Sequence, residues 1–168
     1  MQAVSEPITH TQYLTFQLAG EEYAINILRV REIIDFDIIT KVPRTPEFVR
    51  GVINLRGSVV PVIDLAAKLG LPESAVTIRS CIVIVEPAVG GNYVLMGIVA
   101  DEVSEVLDLM PQDVEPPPAF DAHITIDYLF GIGKVDRRFV LILDIDRILS
   151  PKEMASAASL SEAPEQEE

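Results

Sequence analysis

The sequence predicts an all-β fold with short helices, built from two packed copies of one small β unit, and three observations carry that reading. Apolar residues alternate along Leu14, Phe16 and Leu18 and again along Tyr23, Ile25 and Ile27, with Gly20-Glu21-Glu22 between them. This is the period-two pattern of a hairpin with one face buried. Short β-branched runs recur at 59–63, 81–85, 94–99 and 139–145, punctuated by turn residues rather than separated by long amphipathic helices, a spacing typical of barrels and sandwiches. Third, the chain echoes itself. Ala24, Ile25, Val30, Glu32, Ile33 and Ile34 recur 73 positions later as Gly97, Ile98, Val103, Glu105, Val106 and Leu107. Phe48 and Gly51 recur 80 positions on as Tyr128 and Gly131, and Val60, Asp64 and Leu69 as Val140, Asp144 and Leu149. Matches at two offsets in one order are what duplication with a single insertion produces. The extra residues fall around 111–121, where Pro116-Pro117-Pro118 stiffens the chain. Each copy, of roughly 70 residues, is marginal alone, so the two should share a core, and the groove between them is the natural place for a ligand or partner.

The elements follow in order. Pro61 lacks a backbone donor and predicts an edge position or a bulge for its strand. Thr45 can cap a helical turn starting at Pro46, and Asp64 can cap a helix over 65–69 that Gly70 stops. Gly90-Gly91-Asn92 reads as a hairpin turn. The Ala-rich run 152–160 can form a terminal helix, and the acidic, Pro-containing end beyond it lacks the apolar content to order itself. The organisation expected is a flexible leader at 1–10, one domain at 11–155 made of intertwined halves near 11–80 and 81–150, and an acidic, disordered tail at 156–168.

The 168 residues carry 13 Lys plus Arg against 26 Asp plus Glu, a net charge of −13. That balance repels phosphate backbones and anionic lipid, so neither nucleic acid nor a membrane surface is an expected partner. The last eight residues hold four of the acids (Glu162, Glu165, Glu167 and Glu168), and discounting them leaves the body still acidic. A 49% hydrophobic content without Trp supports an aliphatic core. The single Cys81 sits in the apolar run Cys81-Ile82-Val83-Ile84-Val85 and reads as a buried, inert thiol. No stretch reaches the roughly 18–20 apolar residues of a membrane span, and the start lacks the pattern of a secretory signal, so the expectation is a cytoplasmic protein with no direct membrane insertion.

Residues suited to catalysis are scarce. His10 and His123 have no spaced partners, and zinc would need clustered Cys and His. The carboxylate pairs Asp35 with Asp37, Asp101 with Glu102, and Asp144 with Asp146 raise the question of a divalent cation, but Asp144 echoes the helix-capping Asp64 and capping explains it without a metal. Gly131-Ile132-Gly133 is half of a dinucleotide fingerprint with no crossover helix after it. The expectation is no catalytic residue, no metal and no cofactor. One motif breaks the echo: in Gly51-Val52-Ile53-Asn54-Leu55-Arg56-Gly57 a strand ends in a tight turn carrying a lone Arg, whereas Gly131 to Arg137 keeps the glycine and loses the ending. Arg56 is either a solvated hairpin residue or a guanidinium placed to make fork-like bonds to carboxylates or carbonyls of a partner.

Asn54-Leu55-Arg56-Gly57 stands in a frame that includes Glu22-Tyr23, residues 27–33, Thr45-Pro46-Glu47-Phe48-Val49-Arg50-Gly51-Val52, Val60-Pro61-Val62-Ile63-Asp64-Leu65, Gly97-Ile98-Val99 and Val103-Ser104-Glu105-Val106-Leu107. In that order, over roughly residues 11–155, the chain resembles the CheW-like family of chemotaxis coupling proteins. The resemblance implies two packed five-stranded SH3-like β-barrel subdomains. It also implies a non-enzymatic adaptor joining a chemoreceptor's cytoplasmic hairpin tip to the regulatory domain of a CheA-type histidine kinase, in membrane-associated arrays. Receptor-facing positions would be Ile27, Val30, Glu32, Asn54, Arg56, Gly57 and Ile82. Kinase-facing positions would be Ile39, Val42, Glu115 and Phe120. The stretch 86–93 looks longer than the family's turn, and Glu115 with the prolines after it gives that end its own character. An adaptor of a pilus-based motility system and, remotely, a small-ligand or metal-binding barrel enzyme remain alternatives.

Overall fold

The computed structural model describes residues 10–36, 38–72, 75–89, 91–117 and 128–162. Strands β1 (Thr11–Leu18) and β2 (Glu21–Asn26) form the first hairpin, and a 3-10 turn at Ile27–Arg29 leads into β3 (Val30–Asp35). Then come β4 (Val49–Leu55), β5 (Ser58–Ile63) and the single-turn α1 (Leu65–Lys68), which Asp64 caps by accepting the Ala67 N–H at 3.0 Å. After β6 (Cys81–Val85), the short strands β7 (Ala88–Val89) and β8 (Asn92–Tyr93) pair as the hairpin expected at this place. The chain closes with β9 (Met96–Ala100), β10 (Glu102–Leu109), β11 (Val114–Glu115), β12 (Leu129–Val135), β13 (Arg138–Leu143) and α2 (Pro151–Glu162).

The strands form two main sheets whose orders expose the duplication: β10-β1-β2-β13-β12-β11 in one, and β3-β6-β9-β5-β4 in the other, extended by a bridge from Val52 to Thr40. Shifting the first copy by 73 or 80 positions superposes the ladders pair by pair. Val62↔Gly97 and Ile63↔Ile98, the parallel β5–β9 contact, answer Ile142↔Ala24 and Leu143↔Ile25, the parallel β13–β2 contact. The ladders slip at Val49/Gly51 and again at Leu129/Gly131. At both glycines the backbone of the edge segment that precedes them in the chain comes so close that an added Cβ would clash with the carbonyl oxygen of Thr40 or of Glu115. The second pair of each sheet is borrowed, since β1 and β2 join strands of the second half and β6 and β9 join strands of the first. A cut near residue 80 therefore separates no barrel from the other.

The six-stranded sheet curls toward closure. A flat array of six strands would set its outer strands about 24 Å apart, yet β11 follows β10 after only four residues, 110–113. The five Cα steps from Leu109 to Val114 reach at most about 17–18 Å. The fold class is therefore all-β with short helices and two packed SH3-like units. Ile53, Val60, Val62, Ile82, Ile84 and Val99 pack together within the sheet that holds β3–β6 and β9. Tyr13, Ala24, Leu109, Val140 and Ile142 do the same within the other. A larger cluster, including Phe16, Ile25, Leu65, Val83, Ile98, Ile148 and Met154, joins both sheets and α2. Burying each such aliphatic side chain contributes about 1.5–3 kcal/mol, so the shared cluster is what makes one domain of two marginal units.

Local expectations differ at four places. Pro61 lies in the interior strand β5, not at an edge; it pairs with Val52, and the β9 ladder begins only at the next residue, so its missing N–H falls outside that ladder. Thr45 caps no helix, because its hydroxyl donates to the Val42 carbonyl at 2.9 Å and closes a turn. Asp144 likewise opens a turn, its carboxylate accepting the Asp146 N–H at 3.1 Å. Finally, α2 runs on to Glu162, two residues past the helix expected over 152–160 and into the segment 156–168 assigned to the tail. Ser150 and Glu153 bond reciprocally across the first turn, at 2.8 and 3.1 Å, and Met154 and Ala157 are buried, so capping and packing carry the helix further than composition indicates.

Candidate functional sites

The turn joining β4 to β5 is built by three residues. The Asn54 side-chain oxygen accepts the Gly57 N–H at 2.7 Å, Arg56 adopts φ 50° and Gly57 φ 92°. No heavy atom lies within 4 Å of a Cβ added at Gly57. Glycine is demanded there by the left-handed backbone and not by crowding. The turn aims the Arg56 guanidinium, with a side chain 71% exposed, at Glu32 on β3, with which it forms an ion pair. Because β3 and β4 are the outer strands of their sheet, this pair spans the seam of the first barrel.

Beside it, Ile27 and Val30 are half-buried against the shared core. Ile27, Val30, Glu32, Asn54, Arg56 and Gly57 thus fall on the start of β3 and on the β4–β5 turn across that seam. Ile82 does not join them: it is 0% exposed within the first barrel, where β6 pairs it with Ile34 and Val99, and it offers no surface for contact. An apolar residue at the centre of an interior strand of a curled sheet points into the barrel or the seam.

The predicted kinase-facing residues divide. Ile39 is half-buried against the first barrel's interior, and Val42 lends its carbonyl to Thr45. Around them Lys41, Arg44 and Ile38 are exposed, Ile38 by 83%. Glu115 is exposed on β11, where Lys134 holds it at 2.6 Å. Phe120 lies outside the described residues.

Sequence reasoning misses the surface next to Glu115. A cleft of about 360 Å³ is lined by Tyr13, Leu109, Met110, Pro111, Val114, Glu115 and Phe130 among others. It adjoins a second of about 240 Å³, lined by Tyr13, Leu28, Arg29, Phe130 and Asp144 to Asp146. Phe130 and Leu28 are exposed by 55% and 80%. The signal available was Phe130 itself, a large apolar residue on the outward phase of β12, next to the buried Gly131. The first barrel has Arg50 at the equivalent place, stacked 5.9 Å over Phe36. The two tips therefore offer different chemistry: basic groups and an exposed aliphatic on the first, an apolar cleft with a carboxylate on the second.

Between the barrels, Arg29 makes a two-pronged bond to Asp146 at 2.9 and 2.8 Å, and Asp146 also accepts the Ala88 N–H at 2.8 Å. Burial alone would raise the Asp146 carboxyl, but the hydrogen bonds from Arg29 and Ala88 and the Arg29 charge outweigh it and hold the group below its ordinary value. Burial, with the Asp35 charge adding to it, pushes the Cys81 thiol up, as an inert core residue requires. Among the described residues no group of three His, Cys, Asp or Glu side chains is placed to hold a metal ion. Nor is any described helix long and apolar enough to cross a membrane.

Known proteins share this build. The model of the CheW-like domain matches residues 12–153. Chemotaxis protein CheW of Klebsiella aerogenes is 40% identical over 144 residues, 86% of this chain and 84% of that protein. Protein FrzA of Myxococcus xanthus is 26% identical over 149 residues, 88% of this chain and 90% of that one. In structure, the scaffolding protein TtCheW of Thermoanaerobacter tengcongensis superposes with a TM-score of 0.74 at 36% identity, over 86% of this chain and 97% of its own.

Proposed function

The chain belongs to the CheW-like domain family, a chemotaxis adaptor family, and from that membership we propose that it bridges a chemoreceptor's cytoplasmic hairpin tip and the regulatory domain of a CheA-type histidine kinase, catalysing nothing itself. The observation that carries this reading is the presence of two unlike surfaces on one shared core. One is the seam at Ile27, Val30, Glu32, Asn54, Arg56 and Gly57. The other is the second barrel's tip around Glu115, Met110 and Phe130.

An apolar receptor helix flanked by polar groups suits the first, with Ile27 and Val30 as anchors and Arg56 at the rim. The kinase domain suits the barrel tips, Ile39 and Val42 on the first barrel and Glu115 on the second, with Phe120 beyond it in the chain. A specific complex there needs about 800 Å² per partner. Recruitment to membrane-associated arrays follows from receptor docking and not from insertion. Coupling further requires the bridged assembly to differ in free energy between kinase-on and kinase-off arrangements, since equal binding to both shifts nothing. The test is separation of function: Arg56→Ala should lose a receptor cytoplasmic fragment and keep the kinase regulatory domain, while Phe130→Asp should do the reverse. Loss of both or neither by either variant contradicts the two-surface assignment.

A second reading is the same adaptor build serving another system, a pilus-based motility array being the alternative; the relative named FrzA rather than CheW points only to systems beyond those of the CheW-named relatives. Identifying the kinase that co-purifies from the host separates the two.

A further inference from the structure

We propose that the β7–β8 hairpin forms a second wall of the receptor groove and that the Tyr93 ring contacts the docked receptor helix; this rests on the groove reading above. Ladder register supplies the first argument. β5 and β9 run parallel, so their first residues, Ser58 and Met96, lie toward the same end of the sheet, and Ser58 pairs with Leu55 while Met96 pairs with Val85. The β7–β8 hairpin and the Asn54–Gly57 turn therefore leave the same end of the same sheet. Val30 pairs with Val85, the last residue before the hairpin stem, so the start of β3 lies at that end too.

The hairpin is also firmly held. The Glu86 N–H donates to the Arg29 carbonyl at 2.8 Å, and Glu86 pairs with Arg31 at 3.2 Å. The Ala88 N–H donates to Asp146, which grips Arg29 through two bonds, and the Arg29 guanidinium lies 5.7 Å from the centre of the Tyr93 ring. Arg29 stands in the chain between Ile27 and Val30. The hairpin is thus bonded to the residues that floor the groove, with both barrels contributing.

The ring itself remains 61% exposed. A large amphipathic side chain mounted on a restrained element loses little conformational entropy on binding, and tyrosine is enriched among residues that dominate interfaces. The occupant is the same receptor helix, since the ring and Arg56 project at one end of the barrel and a helix lying along Ile27 and Val30 runs between them.

The experiment titrates the full chain with a soluble receptor cytoplasmic fragment containing the hairpin tip, and in parallel with the kinase regulatory domain. Tyr93→Ala should weaken receptor-fragment binding about tenfold, Tyr93→Phe should bind within about twofold of the parent, and both should bind the kinase domain unchanged. Circular dichroism confirms folding. If Tyr93→Ala binds the receptor fragment like the parent while Arg56→Ala does not, the wall is overturned and the groove stands. If neither variant loses affinity, the groove assignment fails and the wall with it. If Tyr93→Ala instead loses the kinase domain, the hairpin serves the other partner and the proposal is wrong.

Discussion

Arg138 donates to Glu105 at 3.0 Å at the place in the second barrel where Arg56 holds Glu32 in the first. Glu105 is Glu32 carried forward 73 positions, but the position 80 beyond Arg56 is Asp136, which keeps the turn's left-handed backbone at φ 54° against 50°. The cation has moved two residues along while the seam contact persists. Arg138 also donates to Glu22 at 2.8 Å, so it serves two carboxylates and holds β10, β2 and β13 together, whereas among the described residues Arg56 pairs with Glu32 only and has a more exposed side chain. One clamp is tied into the fold at two carboxylates; the other is the more exposed, and on the reading proposed above it meets the receptor.

Arg56→Ala should weaken binding of a receptor fragment about tenfold, in line with loss of a charged anchor. Its melting temperature should stay within about 2 °C of the parent, because an exposed ion pair contributes only about 0–1 kcal/mol. Calorimetric titration and a thermal melt on one preparation check both.

Gly51→Ala should destabilise the domain by about 2–4 kcal/mol, since the added methyl meets the Thr40 carbonyl at 2.2 Å and the backbone holds φ 149°. Gly131→Ala should cost less: its contacts with Glu115 and Val114, at 2.7 and 2.9 Å, are looser, and its φ lies outside the left-handed range. Denaturant unfolding of both variants gives the order directly.

The Arg29–Asp146 clamp predicts a pH dependence. Burial opposes ionisation of Asp146, yet the Arg29 and Ala88 bonds leave its folded pKa below the ordinary value. A lowered folded pKa contributes stability that is present above the unfolded pKa of about 3.9 and is lost as pH falls toward the folded value. Glu153, where burial is likewise outweighed by Lys68 and Ser150, acts in the same direction. Asp146→Asn should therefore lower stability at pH 7 and narrow the difference between pH 7 and pH 3, measured by urea unfolding at both.

Cys81 is 8% exposed in β6, and burial raises its pKa. Its reaction with an aromatic disulfide reagent at pH 8 should follow global unfolding, accelerating in step with denaturant. Fast labelling of the native protein would show that β6 opens locally.

Much of this architecture is legible in sequence because the signals are local or repeated. The hairpin alternation around Leu14 to Ile27, the Asp64 cap and the echoes at Gly51 and Gly131 each leave a mark on residue type, and the ladders place them as the marks require. What escapes depends on distant contacts. Ile82 reads like any strand aliphatic, and only its place in the interior of the first barrel removes it from the surface. Asp144 and Asp64 look alike, yet only Asp64 starts a helix, because the second copy closes a turn instead. The Arg29–Asp146 bond joins residues 117 apart, and no spacing rule connects them. Phe130 owes its meaning to the cleft that Met110 and Val114 build opposite it.

Bridging requires simultaneous occupancy of the two surfaces. The direct measurement is light scattering on a size-exclusion column, with the full chain, a receptor cytoplasmic fragment and the kinase regulatory domain mixed at equal concentrations. A complex with the mass of all three is predicted, reduced to the chain and kinase domain alone by Arg56→Ala. Two binary complexes that displace each other, with no ternary species at any ratio, would contradict it.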